Sequence, residues 1–153
     1  MQQATDFLDE SEALSALLAP LSDADFETPT QFKHWTINNI IRHLHVWNIA
    51  ADLALSDEAA FGEFIAKMMA GVRGKRLPDF EADYLGGLSG HDLVAAWTTQ
   101  YRAMTPRFGA ADPKRRVKWV GPDMSVISSI TARLMETWSH AQAIYDVLGV
   151  QRI

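Results

Sequence analysis

The stretch that decides the fold is SVISSITARLMETWSHAQAIYDVLG, residues 125–149. Apolar side chains recur in it every three or four residues, which predicts one long α-helix over about residues 124–148. Gly149 follows as the expected C-terminal cap, because glycine adopts the left-handed conformation at low cost. The predicted broad apolar face of this helix consists of Ile127, Ile130, Leu134, Trp138, Ala141, Tyr145 and Leu148.

Glu136 and His140 stand four residues apart on the same helix, so their side chains point the same way at adjacent heights. Helical angles place them nearly opposite the broad apolar face. Their neighbours there are small or apolar: Ser125, Ser129, Ala132, Ala143 and Val147. A helix that is apolar on two sides is usually covered on both. We therefore expect one side to pack inside a bundle and the other against a second subunit, which predicts a homodimer.

Working outward, four more segments carry a helical pattern, and the fourth is opened by Ser89 or Gly90. Two irregular connections, over residues 71–90 and 109–124, separate them. The sequence thus predicts an all-α four-helix bundle with one short extra helix, as a single domain over residues 1–153. The four segments are residues 4–19, a helix to about residue 55 capped by Thr36, a shorter helix over residues 56–71, and residues 91–108.

The second predicted helix, in HWTINNIIRHLHVWN at residues 34–48, holds two neighbouring histidines. His43 shares an apolar, inward face with Ile40 and Trp47, whereas His45 points about 200° away, estimated from 100° of rotation per residue. The sequence therefore predicts that His43 enters the core and that His45 meets water beside Asn38 and Asp52.

A lone core histidine is more often a satisfied hydrogen-bonding group than a metal ligand. The balance changes if His43 faces Glu136 and His140, because two imidazoles and one carboxylate suit zinc or a similar divalent ion and leave a fourth position open. Residue spacing alone is compatible with two interpretations, a solvated ion pair and a metal site.

The composition limits the classes of function. The chain has 153 residues, of which 48% are apolar, and a formal net charge of -5, which argues against a nucleic-acid partner. It has no cysteine, so disulfides, thiolate metal sites and cysteine nucleophiles are excluded. No signal peptide or membrane-spanning run is apparent, and we expect a cytoplasmic protein.

Two stretches carry a resemblance to a known family. HWTINNIIRHLHVWN resembles the W-[ST]-x-x-D-x-x-x-H-L helix of the DinB/YfiT-like superfamily. RVKWVGPDMSVISSITARLMETWSHAQAIYDVLGV, residues 116–150, is similar to the last bundle helix of its mycothiol-dependent maleylpyruvate isomerase branch. The resemblance implies an up-down-down-up bundle with a divalent metal, zinc or else nickel or iron, whose ligands fall on His43, Glu136 and His140.

The chain departs from the family pattern in two ways. Asn39 stands where the family often has aspartate, four residues before the first ligand. Family members of this branch also continue into a sterol-carrier-like second domain, whereas this sequence ends at Ile153. We therefore expect a single DinB-like bundle without that domain.

The resemblance implies a thiol-dependent isomerase or S-transferase that acts on a small electrophilic substrate. Because the chain has no cysteine, the sulfur would come from an external low-molecular-weight thiol. The alternatives are a non-catalytic bundle that binds a metal or ligand, and a metal-dependent hydrolase, for which no general base is evident.

Basic residues near the predicted ligands are candidates for holding the substrate's anionic groups. They are Arg42, Arg133 and Lys118, the last within DPKRRVKW at residues 112–119. Each has a simpler reading, as an ion pair with an acid or as part of a solvated loop. Trp35 is expected to be a core residue or a pocket wall.

Overall fold

The computed structural model describes residues 1–152, and its regular structure is almost entirely helical. None of the helices in that range combines the length and hydrophobicity of a membrane span. The elements are α1 (Gln2–Leu18), a 3-10 helix (Asp23–Glu27), α2 (Ile37–Ser56), α3 (Glu58–Gly71), α4 (Leu77–Tyr84), α5 (Gly90–Ala110), β1 (Arg116–Val117), β2 (Met124–Ser125) and α6 (Val126–Leu148).

The four long helices, α1, α2, α5 and α6, enclose one hydrophobic core. α1 and α2 each pack against both α5 and α6, and each long helix contributes fully buried side chains. Examples are Phe7, Leu44, Trp97 and Ile130. The predicted DinB-like all-α bundle is confirmed, and the packing of α2 against α6 brings the predicted ligands into one region.

The ends of α2 and α6 follow from local hydrogen bonds. Thr36 caps α2 by accepting the Asn39 backbone N–H, and the Asn39 side chain accepts the Thr36 backbone N–H in return, which forms a capping box. Ser125 caps α6, and Gly149 ends it with φ of 67°, in the left-handed region. The predicted caps at Thr36 and Gly149 are confirmed, and Asn39 has a structural role as a capping residue.

The two predicted connections contain more structure than expected. The first holds α4, so two short helices rather than one lie between α2 and α5. Pro78 lies in the first turn of α4, where its missing N–H leaves no helical hydrogen bond unmade. The second holds a hairpin in which Val117 pairs with Met124. The glycines and prolines that predicted loops mark the boundaries of these short elements.

The prediction that His45 meets water is wrong. His45 is 5% exposed and its neighbours Asn38 and Asp52 are also buried. The reason is that α2 is covered on several sides, since it packs against α3, α4, α5 and α6. One of its buried polar residues, Asp52, accepts hydrogen bonds from Arg107 and Gln100.

The buried face of α6 is also rotated relative to the predicted one. Trp138 is 53% exposed, whereas Arg133 and Thr137 are buried. Thr137 donates to the Arg133 carbonyl, and Arg133 Nε donates to Asn48 on α2. The rotation brings Glu136 and His140 from the predicted far side of the helix to the edge of the inward face.

Candidate metal centre

His43, Glu136 and His140 meet where α2 packs against α6. His140 Nε2 lies 2.8 Å from Oε2 of Glu136, and His43 Nε2 lies 3.6 Å from the same oxygen. One ligand atom from each residue can be chosen so that all three lie within 4.8 Å of one another. Both imidazoles are largely buried, but the Glu136 side chain is 43% exposed, so the cluster opens to solvent on one side.

Glu81, a residue of α4, contacts the ring nitrogen of His43 that does not face Glu136. His43 Nδ1 lies 2.7 Å from Oε2 of Glu81, and Trp47 Nε1 donates to the same oxygen at 2.8 Å. Glu81 is fully buried. A proton on Nδ1 is shared with this carboxylate, so the lone pair of Nε2 is directed at the cluster.

The donor set suits a divalent metal ion. Two imidazole nitrogens and one carboxylate oxygen are ligands that zinc accepts, and three protein ligands leave a coordination position for a small molecule. The buried carboxylate of Glu81 behind His43 is the arrangement that typically orients a metal-ligating histidine. The residues present therefore fit the metal site that the sequence predicted.

The electrostatics of the cluster favour a charged carboxylate. Hydrogen bonds with His140 and His43 outweigh burial and, with the nearby charge of Arg133, hold the pKa of Glu136 well below its usual range. Burial disfavours the charged form of His43, but hydrogen bonds with Glu136 and Glu81 outweigh it and raise the pKa of His43. A cation bound by these atoms would displace the histidine protons, so its affinity would fall as pH decreases.

An open cleft of about 450 Å³ leads to the cluster. The turn before α2 supplies part of its wall, and in that turn Lys33 and His34 both have positive φ, 52° and 59°. Such strain in residues other than glycine is concentrated at functional sites. Trp35, predicted as a core or pocket residue, stacks parallel to His140. The cleft is lined by Phe32, Lys33, Trp35, His43, Arg76, Leu77, Pro78, Glu136 and His140.

The three basic residues proposed from the sequence occupy different environments. Arg42 donates to the Leu88 carbonyl, away from the residues that line the clefts at the cluster. Lys118 lies next to the hairpin strand β1 and pairs with Asp123 at the surface. Arg133 is buried beside Glu136 and lines a second cleft.

Sequence reasoning missed Glu81, Lys33 and Arg76. Glu81 lies in the segment read as a connection, and its only local signal is the pattern LPDFEADY, a proline followed by a short helical repeat. Lys33 and Arg76 come from loops that meet only in the folded chain. Nothing local in the sequence marks either as part of the cleft.

The fold and the cluster define a helical bundle with a candidate metal centre, and comparisons with known proteins identify the family. Residues 7–145 match the family described as the mycothiol maleylpyruvate isomerase N-terminal domain. The match extends over most of the chain. The chain therefore belongs to this family, as the resemblance of its last helix predicted.

Two curated relatives are uncharacterized proteins of Mycobacterium tuberculosis, from strains CDC 1551 and H37Rv. Each is 36% identical over 143 residues, which is 94% of this chain but 55% of the relative, so the chain spans about half of their length. The fold is similar to the crystal structure of a mutant of mycothiol-dependent maleylpyruvate isomerase, with a TM-score of 0.66 and 16% identity. That similarity covers 93% of this chain and 59% of the other.

Proposed function

We propose that the protein binds a divalent metal ion, zinc first, through His43, Glu136 and His140 and uses it in thiol-dependent isomerisation or S-transfer. The observation that carries this proposal is the three-residue cluster, backed by Glu81 and open to a cleft. When bound, the ion would supply a Lewis acid and an open position at which a thiol's pKa is lowered.

The residues around the cluster have defined tasks in this proposal. Glu81 fixes the ring of His43, so that Nε2 is presented in one orientation. Phe32 and Trp35 pack edge-on against His140 and His43 respectively, which excludes water from one side of the ligands. Lys33 and Arg76 line the cleft and attract an anionic substrate or thiol.

The sulfur must come from outside the chain, which has no cysteine. Family membership and the similar isomerase structure make mycothiol the first thiol to test. In isomerisation the sulfur adds to a conjugated carbon, the former double bond rotates, and elimination returns the thiol unchanged. In S-transfer the thiol displaces a leaving group and is consumed. The expected cytoplasmic location agrees with a reduced thiol pool.

The test is a screen of zinc-loaded protein with several thiols and a panel of electrophiles that includes maleylpyruvate. We expect turnover that requires thiol and is abolished in His43→Ala, and thiol consumption separates transfer from isomerisation. Spectra of the cobalt-substituted protein should change when the thiol binds. If no thiol alters the cobalt spectrum, the thiol-dependent function is wrong and a non-catalytic binding role replaces it. Hydrolysis without thiol would instead favour the hydrolase alternative.

A further inference from the structure

A cleft of about 370 Å³ lies between the end of α3 and the helix α4. Its lining residues come from these two helices and from the turn that joins them. They are Lys67, Gly71, Lys75, Phe80, Asp83 and Tyr84. None of them lines the clefts that reach the candidate metal centre. The cleft is therefore a separate feature of the described surface, and the proposed metal chemistry gives it no role.

Aromatic rings form the apolar part of this cleft. Phe80 is 5% exposed and Tyr84 is half-buried, and their ring centroids lie 5.9 Å apart. Both rings also contact Phe64 of α3 in T-shaped arrangements, with centroid distances of 6.4 Å for Phe80 and 5.3 Å for Tyr84. These contacts fix the two rings, so the cleft presents an ordered aromatic surface to a flat apolar group.

Gly71 allows this aromatic surface to lie close to α3. A Cβ atom at Gly71 would lie 2.5 Å from Cδ1 of Phe80, which is closer than two such carbon atoms can approach. Glycine lowers the stability of a helix relative to alanine, so its presence at the end of α3 is explained by this contact. A side chain at this position would displace the ring that forms part of the cleft wall.

The charged residues of the cleft leave one positive charge without a partner. Lys75 Nζ lies 3.0 Å from Oδ2 of Asp83, and both side chains are exposed. Lys67 is also exposed, and it forms no ion pair within residues 1–152. Two lysines and one aspartate give this cleft an excess of one positive charge, although the whole chain has a net charge of -5. A singly charged anion would match this excess, whereas a dianion would exceed it.

Tyr84 adds a neutral hydrogen-bond donor to the same cleft. Burial raises the pKa of Tyr84, so its hydroxyl keeps the proton at neutral pH. The hydroxyl and the ammonium group of Lys67 are both groups that donate to carboxylate oxygens. The cleft thus combines donors for one carboxylate with an aromatic wall.

We infer that the cleft between α3 and α4 is a second ligand site, and that it takes a small aromatic carboxylate whose charge is matched by Lys67 and whose ring packs against Phe80 and Tyr84. The volume corresponds to about twelve water-sized groups, which is sufficient for a bicyclic aromatic acid. Glu81 belongs to the same short helix and contacts His43, so the occupant would contact the helix that orients a candidate metal ligand.

The test is fluorine NMR of the full chain labelled with fluorotyrosine, because the sequence has three tyrosines, Tyr84, Tyr101 and Tyr145. Tyr84→Phe assigns the signal from the cleft. The protein is titrated with naphthoate, a bicyclic aromatic carboxylate, and with the neutral naphthamide, in chelator so that no metal binds the anion. We expect naphthoate to shift the Tyr84 signal saturably, to leave the other two signals unchanged, and to bind about tenfold more tightly than naphthamide.

Lys67→Gln should lower the affinity for naphthoate about tenfold, to that of naphthamide, and leave naphthamide binding unchanged. Lys114→Gln is the matched control, because Lys114 is an exposed lysine that does not line the cleft, and it should bind naphthoate as the wild type does. The signal of the fully buried Tyr101 shows that each variant is folded. Absence of a saturable Tyr84 shift, equal affinities for naphthoate and naphthamide, or equal affinities of the two lysine variants for naphthoate would overturn this assignment.

Discussion

His43 Nδ1 lies 2.7 Å from Oε2 of Glu81, and this contact ties a short helix of the predicted connection to the candidate metal centre. The two residues are 38 positions apart in the chain. Because Glu81 also accepts the indole N–H of Trp47, its carboxylate cannot turn away from His43 without losing two hydrogen bonds.

Replacement of Glu81 should therefore weaken metal binding without removing a ligand. We expect Glu81→Gln to lower zinc affinity by about tenfold to a hundredfold, because a neutral amide neither fixes the imidazole nor increases its basicity as a carboxylate does. Competition with a chromogenic chelator measures the change. Asp83→Asn, at an exposed position of the same helix, is the control and should bind zinc as the wild type does. Equal affinities for both variants would contradict the orienting role.

The ligands themselves should behave differently from a surface histidine. His43→Ala and His140→Ala should each lose the metal, since two remaining ligands hold a divalent ion weakly. His91→Ala, in which an exposed ring is removed, should retain it. Elemental analysis of protein purified without a nickel column gives the stoichiometry. Less than a tenth of an equivalent of any divalent metal in the wild type, with no uptake of added zinc, would refute the metal site.

The helical patterns were sufficient to predict the bundle, whereas the set of His43, Glu136 and His140 as metal ligands also required the family resemblance and stays a prediction. Caps at Thr36 and Gly149 set the ends of helices, and the four-residue spacing of Glu136 and His140 places both on one face in any α-helix. Once the last helix and α2 were recognised as neighbours in a bundle, His43 was the inward histidine of its helix.

The remaining features depend on tertiary packing, which a helical pattern does not record. In the sequence Glu81 has no feature that distinguishes it from other charged residues, because its contact with His43 depends on the packing of α4 against α2. The polar neighbours of His45 on α2 predict that it is exposed to solvent. However, α2 packs against four other helices, so its polar side is buried as well. Arg133 and Thr137 are polar but buried, with hydrogen bonds from Arg133 Nε to Asn48 and from Thr137 to the Arg133 carbonyl, so the buried face of α6 differs from the one that the apolar pattern predicts.

His45 offers a test of stability. Its Nδ1 is buried without a hydrogen-bond partner among the described residues, so His45→Leu should raise the free energy of unfolding at pH 7 by about 1 kcal/mol. Burial lowers the pKa of His45 from 6.5 to about 4, so the unfolded chain binds the proton more readily between these values. The free energy of unfolding of the wild type therefore keeps its full value above pH 6.5 as far as His45 is concerned, and it decreases as the pH falls towards 4.

The leucine variant lacks this titration. Its advantage over the wild type should grow between pH 6.5 and pH 4 by an amount on the order of 3 kcal/mol. Urea unfolding in chelator at several pH values measures the difference, and groups common to both proteins, including His43, cancel. Stability curves that run parallel through this range would show that His45 does not titrate as its burial implies.

The sequence predicts a homodimer, and the structure shows which part of α6 is exposed enough to form the contact. Leu134 and Tyr145, two residues of the broad apolar face predicted for this helix, pack partly against the core. The guanidinium of Arg152 lies over the rings of Trp138 and Tyr145, at 4.9 and 5.1 Å. On α6 the apolar side chains that stay most exposed are Met135, at 65%, and Trp138, at 53%.

We therefore expect the dimer contact to centre on the outer side of α6, around Met135. Ala132 and Ser139 lie beside it in a cleft that Glu136 and His140 also line, and such small side chains let a second helix approach closely. Light scattering at micromolar concentration should give twice the chain mass of 17.1 kDa. Met135→Lys should convert the protein to monomer, because a charge would be buried without a partner. Met69→Lys, at a methionine 59% exposed on α3, is the control and should remain dimeric. A wild-type monomer, or equal loss of dimer in both variants, would contradict this interface.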